Sequence, residues 1–205
     1  MPDREDDMSG TPPVEFEPLP VWAIPPVTGF PADDLDRLPG IPPRTELIDG
    51  GLVFAGPRTN FPSLTASFLL YELRRAAPSD LRVRREMTVT LGERQRPEPD
   101  VMVVRAEAVK GPGQTTYLPA DVALVVEVVS TESEIRDRRR KPELYAEAGI
   151  PHFWRVENTQ GVPTVYVHEL DPATRHYALM GIHHDRLKVP LPFEIDIDLA
   201  EAENL

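Results

Sequence analysis

The apolar run VALVVEVVS at residues 122–130 is interrupted by a single carboxylate, Glu127. Its valines and leucine predict a β-strand that is covered on both faces, as in the centre of a parallel or mixed sheet. A lone ionised carboxylate in such a strand is costly unless it is compensated. The pattern therefore leaves three alternatives for Glu127: a metal ion, a lysine or arginine partner, or a water-filled cleft at the strand end.

Upstream of this strand, the pattern predicts a hairpin, an alternating strand and a helix. The hairpin is TELIDGGLV, with its turn at Asp49-Gly50-Gly51. The stretch LRVRREMTVTL at 81–91 alternates apolar and polar residues, which predicts one half-exposed strand. The helix is FPSLTASFLLYELRRAA, ended by Pro78. Its apolar positions predict a broad buried face; they are Phe61, Leu64, Phe68, Leu69, Tyr71 and Leu73.

Downstream, further strands surround one helix. RPEPDVMVVR enters a strand at Asp100, and a loop over 106–120 leads to the strand of Glu127. STESEIRDRRRKPELYAEAG has a helical composition, with Gly149 as a natural stop. Three strands follow in HFWRVE, TVYVHEL and RHYALMG, the last two as a hairpin across DPAT. The order indicates an α/β fold with a central mixed β-sheet flanked by α-helices and a β-rich C-terminal part.

The first thirty residues differ in composition from the rest of the chain. Residues 1–30 are rich in acid and proline without any period, which predicts a disordered or extended tail. Within it, VWAIPPV is expected to lie against the body through Trp22 and Ile24. The segment PADDLDRLPG predicts a short helix before Gly40. Residues 31–205 are predicted to form a single domain.

The charge and the residue usage narrow the class of protein. The formal net charge of −12 argues against a protein that coats nucleic acid by bulk electrostatics. An enzyme that approaches phosphates locally, through bound cations and a few arginines, stays open. The sequence has no cysteine, which excludes disulfides and thiolate metal sites and suits a cytoplasmic location. No stretch approaches the ~20 apolar residues of a membrane span, and the acidic start differs from a secretory signal.

Two carboxylates stand where strands are expected to meet. If the strands of Asp100 and Glu127 are neighbours, both side chains can point to one side at one edge of the sheet. Two hard oxygen ligands there suit Mg²⁺ or Mn²⁺, which keep several waters and bind through one or two carboxylates plus substrate phosphate. A buried ion pair or a wet strand end explains the two residues equally well.

Lys141 is one of three lysines, with Lys110 and Lys188. It follows Glu127 along the chain at the end of the run RDRRRK. Its compact charge can polarise a water or neutralise a developing charge, although most lysines in charged stretches are simply solvated. Because Pro142 comes next, either a helix begins near Pro142 or a helix is kinked there. Either arrangement fixes the backbone at Lys141.

Four stretches together carry a resemblance to a known family: TELIDGGLV, RREMTVTLGERQRPEPDVMVV, LVVEVVSTESEIRDRRRKPELYAEAGIPHFWRVEN and FEIDIDL. With these, the chain resembles the Uma family of restriction endonucleases, within the PD-(D/E)xK, or restriction-endonuclease-like, superfamily. The resemblance covers residues 40–199, and the order, spacing and flanking residues agree together. The Pro-Asp pair is Pro99 and Asp100, and the strand glutamate is Glu127.

The resemblance implies a role for each matching residue. Asp100 and Glu127 would ligate Mg²⁺ or Mn²⁺, Glu46 would complete the acidic cluster, and Lys141 would assist water activation. The superfamily's usual lysine lies two residues after the strand glutamate, where this chain has Val129. In this family the lysine is moved to the following helix. Relatives often carry a histidine just before the first helix, near NFPSL, whereas this chain has no histidine between residues 1 and 151.

Several neighbouring residues have more than one interpretation. Arg136, Arg138, Arg139 and Arg140 lie close in sequence to the proposed site and are predicted to contact phosphate. Tyr145, four residues after Lys141, can support the lysine, but core packing explains it as well. Phe153 and Trp154 are expected in the core. His183 and His184 are neighbours on a predicted strand or turn and cannot easily share one metal ion.

Three functional hypotheses follow. The first is a metal-dependent endonuclease that hydrolyses phosphodiester bonds of DNA, for which the resemblance also suggests a homodimer. The second is a catalytically inactive protein of the same fold with a nucleic-acid-binding or regulatory role. The third is a hydrolase of another phosphoester. The first predicts that Asp100, Glu127 and Lys141 converge, the second that the cluster is blocked, and the third that the pocket is closed and small.

Overall fold

The computed structural model describes residues 20–204, with side chains described as far as residue 202. Residues 1–19 of the tail that was predicted over 1–30 therefore lie outside the described residues. Ile24 is exposed, which corrects the expectation that it packs against the body. Phe30 is buried instead, in a small cluster with Ala32 and Leu47. Within the described residues no helix has the length and apolar character that crossing a lipid bilayer requires.

Two α-helices and twelve strands occur in the described part of the chain. The helices are α1 (Asn60–Ala76) and α2 (Lys141–Glu147). The strands are β1 (Glu46–Ile48), β2 (Gly51–Val53), β3 (Leu81–Arg85), β4 (Thr88–Val89), β5 (Val101–Arg105), β6 (Thr116–Tyr117), β7 (Val122–Val128), β8 (His152–Thr159), β9 (Val162–Asp171), β10 (His176–His183), β11 (Arg186–Val189) and β12 (Ile195–Asp198). Short 3₁₀ turns link them, at Val21–Ala23, Ala32–Asp36, Ala106–Ala108, Pro119–Asp121 and Leu199–Asn204.

A six-stranded mixed sheet forms the centre, in the order β10-β9-β8-β7-β5-β3. Only β7 and β8 are parallel within it, since the other neighbours are antiparallel. The predicted mixed sheet is confirmed, and so is the covered strand: every residue of β7 except Ala123 is buried. The hairpin across DPAT is β9 with β10.

The central sheet is covered on both faces. Alternate residues of its strands pack against α1, β11 and β12 on one face, in a core that includes Trp154. On the other face they pack against α2 and β4, in a second core that includes Phe153 and Tyr145. Phe153 and Trp154 are thus core residues, as predicted. Val126 faces the first core and Val125 the second, so Glu127 projects toward α2 because side chains alternate along a strand.

The first hairpin has the predicted position. β1 and β2 pair antiparallel around the two-residue turn Asp49-Gly50, and both turn residues have positive φ, 54° and 79°. Positive φ at both central residues defines the type I′ turn that matches strand twist, and Asp-Gly is a favoured sequence for it. Gly50 also touches the N-terminal segment, because the Phe30 N–H donates to its carbonyl at 2.8 Å.

Two further sequence expectations need correction. The predicted strand over 81–91 is broken into β3 and β4 at Glu86, whose φ of 55° is incompatible with an extended strand. In α1, Leu64 and Tyr71 are exposed and do not belong to the buried face. The buried face is instead completed by Pro62, Thr65, Ala66 and Glu72.

Candidate active site

Asp100 and Glu127 lie opposite each other on adjacent strands. The antiparallel register pairs Val101 with Val126, which places Asp100, just before β5, opposite Glu127 in β7. Directly opposite residues in an antiparallel pair project from the same face. The Val128 N–H donates to Asp100 Oδ2 at 2.7 Å, which fixes that carboxylate on the strand of Glu127. The predicted meeting of the two carboxylates at one edge is confirmed.

Lys141 reaches the same place from the start of α2. Its Nζ lies 3.2 Å from both oxygens of Glu127 and 2.8 Å from Glu46 Oε1. A third carboxylate, Asp137, has Oδ1 3.2 Å away, one helical turn before the lysine. The structure thus brings together all four residues predicted to be catalytic.

Local backbone geometry explains why the Lys141 side chain points toward the carboxylates. The helical run widens into a π-helical turn over Arg136–Arg140 before α2 begins. The Lys141 N–H donates to the carbonyl of Arg136, five residues back. Pro142 then lies in the first turn of α2, which is one of the two arrangements predicted from the sequence. π-helical turns of this kind often occur at functional sites.

Glu46 and Tyr145 hold the cluster in place. Glu46 Oε1 accepts the Glu98 N–H at 2.8 Å as well as facing Lys141, so β1 is tied to the segment that precedes β5. The Tyr145 hydroxyl donates to Glu127 Oε1 at 2.6 Å. Tyr145 therefore supports the glutamate rather than the lysine, and its ring also packs in the second core.

Ionisation in the cluster is governed by burial. Glu127 is 1% exposed, and this burial, opposed by Lys141, raises its pKa well above the usual value. Burial also raises the pKa of Asp137. For Lys141, burial by itself would lower the pKa, but Glu127, Glu46 and Asp137 raise it well above normal. The lysine is therefore an ammonium, and the raised pKa values of Glu127 and Asp137 mean that burial disfavours the negative charge of these two side chains.

Three further residues at the site were missed by the sequence analysis. Arg58, in the loop between β2 and α1, contacts Asp100 Oδ1 with its Nη2. Glu98 lies two residues before Asp100, and burial raises its pKa to about 7. Asp137 is the third carboxylate at Lys141. Its spacing of four residues before the lysine was a usable signal, as was the two-residue spacing of Glu98 from Asp100.

A cavity of about 170 Å³ opens onto the cluster. Arg136 lies in its wall and is paired with Glu132, at 3.1 Å. The other predicted phosphate contacts lie elsewhere: Arg138 and Arg139 line a different cavity, and Arg140 is paired with Asp49 of the first hairpin at 2.6 Å. Of the four arginines predicted to contact phosphate, only Arg136 lines this cavity.

Comparison with known proteins identifies the family of this chain. Residues 32–201 match the model of a family, Uma2, described as "Putative restriction endonuclease". The chain belongs to the Uma2 family. The resemblance inferred from four stretches within residues 40–199 is thereby confirmed, and nuclease activity with nucleic acid as the partner is the function that the family supports.

The fold of this Uma2 protein is also found in a solved structure. It is similar to the crystal structure of a protein from Anabaena variabilis titled a "putative nuclease belonging to DUF820". The TM-score is 0.65 at 16% sequence identity, over 84% of this chain and 96% of that chain. At that identity the likeness establishes the shared fold. No match was found among curated proteins.

Proposed function

We propose that this Uma2 protein is a Mg²⁺-dependent endonuclease that hydrolyses phosphodiester bonds of DNA, with Mn²⁺ as an alternative metal. The observation that carries the proposal is the charge of the buried cluster. Four buried carboxylates, Glu46, Asp100, Glu127 and Asp137, face two cations, Lys141 and Arg58. Buried charge without a partner is costly, which is why the pKa values of Glu127 and Asp137 are raised, and one divalent cation would balance the four carboxylates in their ionised form.

Asp100 and Glu127 are the residues that would hold the metal. Among residues 20–204, no group of three or more histidine, cysteine, aspartate or glutamate side chains is arranged to hold a metal ion. Two carboxylates on adjacent strands nevertheless fit Mg²⁺, which keeps several waters and takes its other ligands from substrate phosphate. The adjoining cavity has room for such waters. A bound metal would activate water and stabilise charge on the phosphate.

The remaining residues of the cluster position these two ligands. Because its pKa is raised, Lys141 stays protonated, so it can orient a water and stabilise negative charge but cannot accept a proton. Glu46 fixes the lysine, and the Tyr145 hydroxyl fixes Glu127. Arg136, in the cavity wall, is the best placed of the four predicted arginines for contact with a DNA phosphate.

The substrate assignment to DNA rests on the restriction-endonuclease family. The net charge of −12 is compatible with it, because a cation at Asp100 and Glu127 would reduce the repulsion of phosphate where the strand binds. A homodimer, expected from the resemblance, would present two such sites to the two strands of a duplex.

Cleavage of single-stranded, duplex and branched DNA tests the proposal, with Mg²⁺, with Mn²⁺ and with EDTA. The native chain is compared with Asp100→Asn and Lys141→Ala, and with Asp33→Asn, an exposed aspartate in the turn Ala32–Asp36, as a matched control. We expect cleavage that needs metal, disappears in the two site variants and persists in the control. If the native chain cuts nothing, or if all variants cut equally, the proposed active site fails. A native chain that cuts nothing would be a non-catalytic protein of the nuclease fold.

A further inference from the structure

A second, larger cavity lies on the other side of the segment that carries Lys141. Its volume is about 580 Å³, within the range of small-molecule sites. Asp137 and Lys141, four residues apart, face the acidic cluster, whereas other residues of the same helical segment line the second cavity. These are Arg138, Arg139, Pro142, Glu143, Ala146 and Glu147. One helical segment therefore separates the two cavities.

An aromatic wall forms the back of this cavity. The Phe153 ring is buried, and the half-buried rings of Tyr177 and His168 lie beside it. The ring centroids of Phe153 and Tyr177 are 5.4 Å apart at an interplanar angle of 30°, and those of Phe153 and His168 are 5.5 Å apart. The Tyr177 hydroxyl donates to the Ile150 carbonyl at 2.8 Å, which holds that ring in place. The rings of His168 and Tyr177 meet edge to face, with centroids 6.5 Å apart at 64°, so one of these rings at a time can offer its face for stacking.

Cationic side chains surround the aromatic wall. Four arginines line the cavity against two glutamates, in a protein whose net charge is −12. Arg138 is paired with Glu134 and Glu157, and Arg155 lies over the Tyr166 ring and pairs with Glu157. Among the described residues, Arg139 has no ion-pair partner, and Arg175 contacts only the main-chain carbonyl of Glu147. Neither of these two guanidinium groups is thus paired with a carboxylate of the described part of the chain, and both have donors that can bind an anion.

We propose that this cavity binds one nucleotide, with its base stacked on Tyr177 and its phosphate held by Arg139 and Arg175. Stacking on an aromatic side chain stabilises a bound base whatever its identity, because every base has a π-face. The planar guanidinium matches phosphate geometry in a bidentate manner. A free mononucleotide and one nucleotide of a DNA strand present the same chemistry. The site uses no residue of the acidic cluster, so it does not depend on the proposed metal chemistry.

Calorimetric titration without divalent metal tests the site. The titrants are deoxyadenosine 5′-monophosphate, deoxyadenosine, inorganic phosphate and a 12-residue oligodeoxynucleotide. The native chain is compared with Arg139→Glu and Tyr177→Leu, and with Arg74→Glu, an exposed arginine of α1, as a control for bulk charge. We expect the monophosphate to bind more tightly than deoxyadenosine or phosphate alone. Arg139→Glu should weaken that binding at least tenfold, while Arg74→Glu leaves it unchanged.

Comparison of the monophosphate with the oligodeoxynucleotide shows whether the cavity binds a free nucleotide or a nucleotide within a DNA strand. If Arg139→Glu weakens binding of the monophosphate, the cavity accepts a free nucleotide. If it weakens binding of the oligodeoxynucleotide alone, the cavity holds a nucleotide of the strand. Arg139 is exposed, so its replacement leaves the core intact, and circular dichroism confirms the fold of Tyr177→Leu. The proposal is overturned if neither ligand depends on Arg139 and Tyr177, or if Arg74→Glu has the same effect. DNA cleavage is scored separately, so the nuclease proposal can fail while this one stands.

Discussion

The guanidinium of Arg58 lies on Oδ1 of Asp100, the carboxylate that we propose as a metal ligand. The other oxygen of Asp100 accepts the Val128 N–H. Both side chains of the ion pair are largely buried, at 15% and 9% exposure, so solvent screens the contact little. Arg58 therefore competes for the position that a cation would take beside Asp100.

Removal of Arg58 should strengthen metal binding. In Arg58→Ala, Asp100 loses its cationic partner, and we expect Mn²⁺ to bind roughly tenfold more tightly, ~1.4 kcal/mol. Titration calorimetry measures the affinity. Arg136→Ala removes an equal charge from the wall of the same cavity without releasing Asp100, so it should give a smaller change. Equal affinities in the native chain and Arg58→Ala would show that Arg58 does not compete with the metal.

Loss of Lys141 should destabilise the fold. Lys141→Met leaves Glu46, Glu127 and Asp137 buried together without their cation. Breaking a buried ion pair by removing one partner costs ~3–5 kcal/mol, which urea unfolding can measure. Lys188→Met, at a lysine whose side chain is 73% exposed, is the matched control and should change stability little. A Lys141→Met variant as stable as this control would contradict the described cluster.

The hydroxyl of Tyr145 should contribute to stability apart from its ring. Tyr145→Phe keeps the packing but removes the donor that lies 2.6 Å from Glu127 Oε1, and this oxygen keeps only the Lys141 ammonium at 3.2 Å. Loss of a hydrogen bond to a charged group costs ~1.5–3 kcal/mol. Thermal and urea unfolding of Tyr145→Phe and of Tyr71→Phe, on the exposed side of α1, provide the comparison. The prediction fails if both variants unfold with the same free energy.

The link between Asp36 and Arg96 should weaken in acid. The Arg96 guanidinium, which is buried, donates to both Asp36 oxygens at 2.7 and 2.9 Å, and this hydrogen bonding holds the pKa of Asp36 below its usual value. A lowered pKa stabilises the fold above the unfolded pKa of about 3.9, and that stability is lost as the pH falls through the folded value.

Comparison with Asp36→Asn isolates this effect. The native advantage over Asp36→Asn should be greatest above pH ~4 and shrink below it, and because Asp36 is 41% exposed it should stay under about 1 kcal/mol. Urea unfolding at a series of pH values measures it. An advantage that grows in acid would have the wrong sign for this ion pair.

The sequence was sufficient for the centre of the fold and of the site. The valine-rich pattern around Glu127 predicted a strand covered on both faces, because only such a strand tolerates so many apolar residues in succession. The step from Pro99-Asp100 into VMVV predicted the neighbouring strand end. Pro142 limited the ways in which Lys141 could be presented, since proline is tolerated in the first turn of a helix.

Other features depended on tertiary contacts that no local pattern records. The strand breaks at Glu86 because this residue has a left-handed backbone conformation. The alternating apolar and polar pattern of residues 81–91 gives no sign of that conformation. Leu64 and Tyr71 matched the helical period, but the face of α1 that is buried depends on where the sheet lies. Arg58 comes to Asp100 from a loop forty-two positions earlier in sequence, and neither composition nor periodicity indicated that contact.

Mn²⁺ binding at Asp100 and Glu127 is the most direct test of the account, measured by electron paramagnetic resonance on the native chain, Asp100→Asn, Glu127→Gln and the exposed control Asp33→Asn. The account predicts that the native chain and the control bind Mn²⁺ alike, and that each site variant weakens binding more than tenfold. Asp100→Asn and Glu127→Gln chains that bind Mn²⁺ as tightly as the native chain would contradict the proposed metal site.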